Sequence, residues 1–369
     1  MAERVSDLDI NRSYLARQLL LERSTMPVRG AIEHLVGLQA QDVMPPYVSL
    51  WARLQHFSRQ ELEELLTERK VGRLTLMRGT VHMVSSQDAL RLRPLLQPEI
   101  AKAVLGAGPR RDATRGIDPE HLAAFARQEL SPEGSGMASM TEAAARRWPE
   151  HDARLVAQSA IWLVPTTQVP PRGLWKRNDR PKWALLDKWF ASPCEEGYPG
   201  ESLISRYLQA FGPATFADMQ SWSGLTGMRT AFENLRPGLR VIIDESGREL
   251  FDVADAPWPG ADTPAPVRFL GAFDNLWLAH KDRSRIVDPA HWSFVMTSNG
   301  VGRPSILIDG RIAARYRVDA KKNTARLVVE PFRRLTPSEL EEVEAEGRKL
   351  LAFLEPDLEA GFEIGAVLA

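Results

Sequence analysis

The strongest constraint on the fold of this chain is a pattern of three helices followed by an extended hairpin, which recurs three times. In each repeat, apolar residues at helical spacing are followed by shorter runs with strand character. Three helices and a β-hairpin make up a winged-helix unit, so the pattern predicts three such units in tandem. The predicted helices and extended runs are residues 11–23, 28–38, 59–69 and 73–85 in the first repeat, 119–130, 141–147, 152–163 and 164–169 in the second, and 201–211, 214–222, 227–235, 239–243 and 249–253 in the third.

Changes in composition mark the boundaries between these units. Residues 106–118 have the character of a linker, and the chain becomes proline-rich over 256–266. Beyond that point, extended runs at 306–308 and 311–318 flank an Asp-Gly pair typical of a type I′ turn, and a capping box predicts a final helix over 337–354. The predicted fold class is therefore α+β, mainly α, with winged-helix units at 1–112, 113–198 and 199–256 and a β-rich C-terminal part at 257–369.

The composition is that of an ordinary globular protein. With 369 residues, 44% of them apolar and 26% charged, the chain is long enough to bury a sizeable core. A single cysteine, Cys194, rules out an internal disulfide and a cysteine-based zinc cluster, and the histidines have no metal-binding spacing. We therefore expect no metal and no cofactor. The chain has no signal-peptide pattern and no run of about 18 apolar residues, so the predicted location is cytoplasmic, without membrane contact.

The charge balance limits how this chain could bind nucleic acid. With 47 basic and 48 acidic side chains the formal net charge is −1, whereas nucleic-acid-binding domains are usually basic. Acidic residues concentrate at 61–68 and 339–346, and basic residues at 172–188, 281–285 and 311–322. Any DNA-binding hypothesis for this chain therefore requires a local basic channel.

Two glutamines one residue apart, Gln39 and Gln41, are the main candidates for chemistry. A carboxamide accepts a hydrogen bond from water and donates another, but it is too weak a base to remove a proton. The pair is suited to holding water for hydrolysis of a bond with a good leaving group. Asp42 is a rival, because a carboxylate acts as a base or stabilises a developing cation. The alternative is a polar helix end whose side chains satisfy its own carbonyl groups.

The segment that contains these glutamines, Gly37 to Asp42, resembles the Gln-x-Gln signature of the AlkZ-type DNA glycosylases. Further blocks resemble the same family in the same order, and together they span most of the chain. These blocks are Arg78 to Val84, Pro170 to Trp175, Phe211 to Thr215 with Asp218, Trp222 to Leu225, Pro266 to Leu270, Phe273 to Asn275, His280 and Asp282 to Arg285.

The resemblance implies an enzyme built from tandem winged helices, C-shaped around a DNA channel. Members of the family excise bulky alkylated bases and unhook interstrand crosslinks. By this resemblance the partner is double-stranded DNA with alkylated or crosslinked purines, the protein is a monomer, and the catalytic segment is Gln39 to Asp42. A Gln-x-Gln motif is more typical of self-resistance enzymes, whose hosts make azinomycin-like genotoxic products, than of the broad repair branch.

Thirteen residues are candidate DNA contacts. His82 shares one face of the predicted 73–85 ribbon with Arg78 and Thr80, and three arginines share one face of the 311–318 run. The alternatives are a structural histidine at position 82, an interdomain salt-bridge cluster around 274–285, and a solvated strand face. The candidates are Arg78, Thr80, His82, Arg172, Trp175, Lys176, Asn275, His280, Arg283, Arg285, Arg311, Arg315 and Arg317.

The expected mechanism follows from the leaving group. Alkylation at N7 of guanine makes the purine cationic, so the departing base needs little help from a general acid. The enzyme must then stabilise an oxocarbenium-like sugar and deliver water to C1′, for which Gln39 is the first choice. No lysine is placed for a Schiff-base step, which favours a monofunctional glycosylase. The alternative function is a non-catalytic winged-helix regulator, which does not need Gln39.

Overall fold

The computed structural model describes residues 3–368, in which helices alternate with short strands. Its first segment contains two helices that the sequence analysis does not predict, Pro45–Arg53 and Ser86–Leu105. The second carries Pro94 and Pro98, residues that normally disfavour a helix interior. The elements are β1 (Glu3–Arg4), α1 (Asp7–Arg17), α2 (Val28–His34), β2 (Leu38–Gln39), α3 (Pro45–Arg53), α4 (Arg59–Thr67), β3 (Val71–Thr75), β4 (Val81–Ser85) and α5 (Ser86–Leu105).

Two predicted helices of this segment end earlier than expected. The helix predicted over 11–23 ends at Arg17, and Leu19 beyond it has a left-handed φ of 57°. The helix predicted over 28–38 ends at His34, followed by Gly37 with a φ of 91°. Left-handed residues end a helix because its hydrogen bonds cannot continue through them. The segment after α2 is therefore free to join a sheet.

The second segment follows the predicted order of three helices and a strand region. Its helices begin and end within a few residues of the predicted bounds, and a short additional helix lies inside the predicted linker. Asp118 and Asp152 cap two of the helices through their side chains. The elements are α6 (Pro109–Ala113), α7 (Pro119–Glu129), β5 (Ser135–Gly136), α8 (Met137–Arg147), α9 (Ala153–Leu163), β6 (Thr166–Gln168), β7 (Lys182–Leu185) and α10 (Leu186–Trp189).

The third and C-terminal segments contain the best predicted local structures. Asp309 and Gly310 have φ values of 46° and 75°, as a type I′ turn requires. Thr336 and Glu339 form the predicted capping box of the last helix. The elements are α11 (Gly200–Phe211), α12 (Phe216–Ser223), α13 (Arg229–Leu235), β8 (Arg240–Ile243), β9 (Glu249–Asp252), β10 (Arg268–Leu270), α14 (Asn275–Leu278), α15 (Trp292–Val295), β11 (Ser305–Ile308), β12 (Arg311–Ala320), β13 (Thr324–Pro331), α16 (Pro337–Leu354) and β14 (Glu359–Ile364).

Three sheets connect parts of the chain that the sequence analysis assigns to different units. The strand orders are β2-β4-β3-β6-β7-β5, β1-β8-β9 and β10-β11-β12-β13-β14. Arg73 of β3 pairs with Gln168 of β6, so the first and second segments share one sheet. Glu3 of β1 pairs in parallel with Ile242 of β8, so the N-terminus joins the third segment. The predicted unit boundaries stay predictions, but these pairings cross two of them.

Buried ion pairs also link distant parts of the chain. Both guanidinium NH2 groups of Arg17 bond the Asp252 carboxylate, at 2.5 and 2.7 Å. Arg53 of α3 bonds the Asp274 carboxylate at 2.7 and 2.9 Å, and both side chains are fully buried. Such pairs hold α1 and α3 against the third and C-terminal segments. Within residues 3–368, no helix combines the length and apolarity that crossing a membrane requires.

Candidate active site

Gln39 lies on strand β2 and not at the end of a helix, contrary to the alternative considered for the sequence. Its Cα pairs with that of His82 on β4, and the next residue, Ala40, donates its backbone N–H to the Val81 carbonyl oxygen at 2.7 Å. Gly37 makes this approach possible, since a Cβ there would lie 2.5 Å from a Val84 methyl group. The fold thus fixes Gln39 against the β4 strand.

The two glutamines and Asp42 differ in their surroundings. Gln39 is 6% exposed, and its Oε1 accepts a hydrogen bond from Nη2 of Arg78 at 3.2 Å. Gln41 is exposed, and its Oε1 accepts from the Val81 backbone N–H at 3.2 Å. Asp42 is exposed and has no hydrogen bond or ion pair with residues 3–368. A carboxamide oxygen has two lone pairs, so Gln39 retains one acceptor position for a water molecule.

Arg78 lies in a tight turn between β3 and β4, not on a strand face as predicted. Its φ is 55°, and its Nη1 donates to the carbonyl oxygen of Trp222 near the C-terminal end of α12. A helix C-terminus attracts cations, which favours this contact. The residue keeps an exposed surface, but loss of water around its guanidinium group, and then the charge of Arg283, lowers the pKa of Arg78 to about 10. Arg78 is therefore charged at neutral pH and orients the Gln39 carboxamide.

His82 is a buried, neutral histidine. It is 2% exposed, and its Nδ1 lies 3.0 Å from the carbonyl oxygen of Thr80. Burial, and then the charge of Arg78, lowers the pKa of His82 to about 3. A carbonyl oxygen can only accept, so the proton of the neutral ring is on Nδ1 and the Nε2 atom is an acceptor. His82 therefore contributes no positive charge to the site. Thr80 itself donates from its hydroxyl group to the Met77 carbonyl oxygen at 3.1 Å.

The state of His82 gives a direct prediction. Because its pKa is lowered to about 3, we expect its imidazole to remain neutral from pH 5 to pH 8. The measurement is the ring-nitrogen chemical shifts of His82 by NMR, assigned with a His82→Gln variant. A histidine-containing model peptide in the same buffer serves as the reference that titrates in this range. A midpoint for His82 between pH 5 and pH 8 would contradict the neutral assignment.

Asn275 supports the segment that carries Gln39. Its side-chain NH2 group donates to the carbonyl oxygen of Gly37 at 2.7 Å and to that of Leu35 at 3.4 Å. Asn275 is 7% exposed and opens α14, whose N-cap is Asp274. These contacts hold the turn between α2 and β2. A direct contact between Asn275 and DNA stays an untested prediction.

The remaining candidates of the 274–285 run mostly contact protein groups. His280 is 9% exposed, stacks edge-on against Tyr14 with ring centroids 4.7 Å apart, and burial lowers its pKa. Arg283 donates to the Trp277 carbonyl oxygen at 2.8 Å and lies over the Trp292 ring. Arg285 bonds the carboxylates of Asp7 and Asp244, at 2.8 and 2.5 Å. The interdomain salt-bridge alternative therefore describes Arg285.

The three candidates after Pro171 lie in a structured loop. Arg172 donates to the Asn178 side chain at 2.5 Å, and Lys176 pairs with Glu355 at 2.7 Å. Trp175 packs edge-on against Tyr47 and Phe353, with ring centroids 5.0 and 5.2 Å away. These contacts account for the three side chains, and their contact with DNA stays a prediction.

The predicted hairpin with three arginines forms from β11 and β12, but acids accompany its charges. Arg315 pairs with Glu330 of β13 at 2.7 Å. Arg317 pairs with Asp319 at 3.1 Å and with Glu330 at 3.2 Å. The side chain of Arg311 is exposed, and its one hydrogen bond within residues 3–368 is a 3.5 Å contact with the Arg285 carbonyl oxygen. The positive charge of this strand face is therefore partly neutralised. The alternation of side chains along β12 cannot reveal this, because Glu330 lies on the neighbouring strand β13.

Sequence reasoning missed one residue that touches the glutamine segment. Arg73 of β3 is 1% exposed, and its Nη2 donates to the carbonyl oxygen of Ala40 at 2.7 Å. Its Nε and Nη1 atoms have no partner among residues 3–368. Burial lowers the pKa of Arg73 to about 10. The only signal in the sequence is a charged residue between the apolar residues of a predicted strand.

A basic groove on the second segment was also missed. Its volume is about 940 Å3, and two tryptophans, Trp162 and Trp183, lie on its walls. Arg154, Arg180 and Lys182 line the groove, and none has an ion-pair partner within residues 3–368. No acidic residue belongs to the lining. Arg180 and Lys182 fall within the basic run noted in the sequence, but the contribution of α9 is visible only in the fold.

Comparison with known proteins identifies the family. A family model described as DNA glycosylase AlkZ-like matches residues 32–353, most of the chain. The chain belongs to the AlkZ-like DNA glycosylase family. This membership makes the AlkZ-like chain a DNA glycosylase, as predicted, and it argues against the non-catalytic regulator.

Two relatives extend the comparison. The AlkZ-like chain is 24% identical over 344 residues to the interstrand DNA cross-link repair glycosylase of Streptomyces sahachiroi, covering 86% of this chain and 88% of the relative. The solved structure of the Streptomyces sahachiroi DNA glycosylase AlkZ matches with a TM-score of 0.82 at 20% identity, over 98% of this chain and 100% of that one. The likeness confirms the predicted mixed fold of helices and strands. The C-shape around DNA, the monomeric state and the cellular location stay predictions.

Proposed function

We propose that this AlkZ-like DNA glycosylase hydrolyses the glycosidic bond of cationic, N7-alkylated guanine in duplex DNA. The observation that carries the proposal is the environment of Gln39, whose neighbours supply no acid or base that titrates near neutral pH. His82 opposite it is neutral with a pKa of about 3, and Arg78 is positively charged at neutral pH. Such a site suits a leaving group that needs no protonation.

The proposed reaction needs only a positioned water molecule. The bond from C1′ to N9 breaks, and its electron pair neutralises the positive charge of the alkylated purine. The water oxygen then bonds to C1′ and releases a proton. Gln39 holds this water through its free lone pair, while Arg78 fixes the carboxamide by the 3.2 Å hydrogen bond. Either solvent or the exposed carboxylate of Asp42 takes the proton.

Gln41 has a secondary role in this proposal. Its oxygen accepts from the Val81 backbone at 3.2 Å, and its NH2 group is available to a sugar or phosphate oxygen. Gln41 follows the end of β2 in a bend of the chain and is exposed, whereas Gln39 is buried. Gln41 therefore orients the nucleotide more than it contacts the water.

The experiment that tests the proposal is single-turnover base release from a duplex with one N7-methylguanine. Alkaline cleavage of the resulting abasic site reports the reaction, and an unmodified duplex is the control. We expect release of the methylated base from the first duplex and none from the second. Failure to release it, with the protein folded and bound to DNA, would overturn the proposed substrate class.

We also propose interstrand crosslinks as substrates, and self-resistance to an azinomycin-like product as the biological role. Support for the crosslink comes from the Streptomyces sahachiroi relative, which is an interstrand DNA cross-link repair glycosylase. A crosslinked base remains tethered to the second strand and cannot enter a closed pocket. A duplex crosslinked through two guanine N7 atoms tests this part, with denaturing gels resolving the two separated strands.

The basic groove on the second segment is our proposed contact with the DNA backbone. We expect the double variant Arg180→Ala/Lys182→Ala to weaken binding of an undamaged duplex about tenfold and to reduce the salt slope by about 1 to 2. The measurement is fluorescence anisotropy across a salt series. The matched control is Arg146→Ala, an exposed arginine on α8 of the same segment that pairs with Glu142. Equal effects of both variants would remove the groove from the interface.

A further inference from the structure

A cleft lies beside the glutamine segment, and Asp42 is its one lining residue that takes part in the reaction described above. Its volume is about 370 Å3, within the range of small-molecule sites. Apolar side chains from several elements form its walls, among them Val48 of α3, Val318 of β12 and Leu354 of α16. Asp42 lies at the cleft, and Asp42 follows Gln39 by three residues. Three residues of extended chain span at most about 11 Å, so the cleft is within reach of a nucleotide at Gln39.

Tyr316 gives this cleft a polar group without a partner. The residue is 6% exposed and lines the cleft, and its hydroxyl group makes no hydrogen bond with residues 3–368. Its ring packs edge-on against Phe269 with centroids 5.0 Å apart, which fixes its orientation. Burial raises the pKa of Tyr316, so the hydroxyl group stays a neutral donor. A hydroxyl group on a cleft wall without a protein partner is available to donate a hydrogen bond to a bound ligand.

One charged residue of the cleft lining has no ion pair within residues 3–368. Lys176 and Glu355 pair with each other at 2.7 Å. Arg317 pairs with acids of β12 and β13. Asp42 alone among the charged lining residues has no partner within residues 3–368. A carboxylate without an ion pair in the lining of an apolar cleft complements a ligand that joins a cationic ring to an apolar group.

We propose that this cleft binds the apolar, aromatic substituent of an N7-alkylated guanine. The cationic purine lies beside Asp42, and the Tyr316 hydroxyl group donates to an oxygen atom on the substituent. The inference rests on the proposed function and goes beyond it, because it names the part of the adduct that the enzyme selects. The ratio of enzymatic to spontaneous release is then larger for adducts with a fused or substituted aromatic group than for the methyl adduct.

The test compares three duplexes, carrying N7-methylguanine, N7-benzylguanine or N7-(4-acetylbenzyl)guanine. In the Val318→Trp variant the indole ring fills the cleft. We expect the rate of single-turnover release of both benzyl adducts to fall at least about tenfold. The rate of N7-methylguanine release is expected to stay within about twofold of the wild-type rate. In Tyr316→Phe only the acetylbenzyl adduct is expected to slow, by about fivefold, because only it has an acceptor oxygen. Val367→Trp, at a residue that is 48% exposed, is the matched control.

The outcomes separate this inference from the proposed function. If the wild type does not release N7-methylguanine, the proposed function is overturned. The cleft proposal alone is overturned if the wild type releases all three bases and Val318→Trp slows the three reactions by the same factor. It is also overturned if Val318→Trp slows none of them. Tyr316→Phe also distinguishes a ligand contact from a structural role. Its hydroxyl group has no partner among residues 3–368, so its thermal unfolding is expected to match that of the wild type.

Discussion

Replacement of Gln39 by alanine is expected to slow single-turnover base release about 100-fold, equivalent to about 2.7 kcal/mol in the activation barrier. Gln39 is buried against β4, and its carboxamide oxygen keeps a free acceptor position for water. Its loss leaves the backbone pairing of β2 with β4 intact. We therefore expect unchanged thermal unfolding and unchanged affinity for a duplex carrying N7-methylguanine.

Two further variants make this result specific. Gln128→Ala replaces an exposed glutamine of α7 and is expected to have no effect on base release. Arg78→Ala removes the hydrogen bond to Gln39 Oε1 but not the carboxamide, so an intermediate loss is expected. If the Gln39→Ala variant keeps full activity, another residue holds the water molecule. Asp42 is then the next residue to replace.

The largest effect on stability is expected from Asp274→Ala. The variant leaves the guanidinium group of Arg53 buried without its carboxylate partner, and it also removes the hydrogen bond from Ser49. Loss of one partner of a fully buried pair costs about 3–5 kcal/mol in the free energy of unfolding. The measurement is urea denaturation at pH 7, and Glu142→Ala, in an exposed pair on α8, is the control without a resolvable effect. Asp274→Asn keeps the helix cap and separates the loss of charge from the loss of the cap.

The same residue predicts a pH dependence of stability. Burial by itself raises the pKa of Asp274, but the charge of Arg53 and the hydrogen bonds to the carboxylate outweigh burial, and the pKa lies below its ordinary value. A carboxyl group with a lowered folded-state pKa stabilises fully above its unfolded pKa, and this stabilisation is lost as the pH falls through the folded pKa. The difference between wild type and Asp274→Ala is therefore expected to be constant from pH 5 to pH 8 and to shrink below about pH 4. A difference that grows on acidification would contradict this assignment.

Local structure was predictable where it depends on a few adjacent residues. The last helix begins where Thr336 and Glu339 form a capping box, and the turn at Asp309 and Gly310 has the backbone angles that this pair favours. The helix α5 was not predictable in the same way. Pro94 lies inside it, and packing of its apolar side chains, such as Leu92, in the core outweighs the local penalty.

The candidate site shows the same division. Gln39 and Gln41 were identified from residue type and spacing, and the family confirms the class of enzyme to which they were assigned. Their individual catalytic roles stay predictions. Arg73, which holds the Ala40 carbonyl oxygen at 2.7 Å, could not be recognised, because an arginine in a strand has the same appearance whether it faces solvent or the interior.

The sequence by itself determined the class of enzyme, the repeated order of helices and hairpins, and the residues capable of holding water. The class of enzyme follows from the resemblance of several sequence blocks to the AlkZ-type family, and the order of helices and hairpins follows from hydrophobic spacing. Only the tertiary structure decided that Gln39 lies on a strand against His82, that Arg78 orients it, and that a cleft opens beside Asp42. The physical reason is that these features join residues distant in the chain, and the strength of such contacts depends on burial and pairing that no local pattern records.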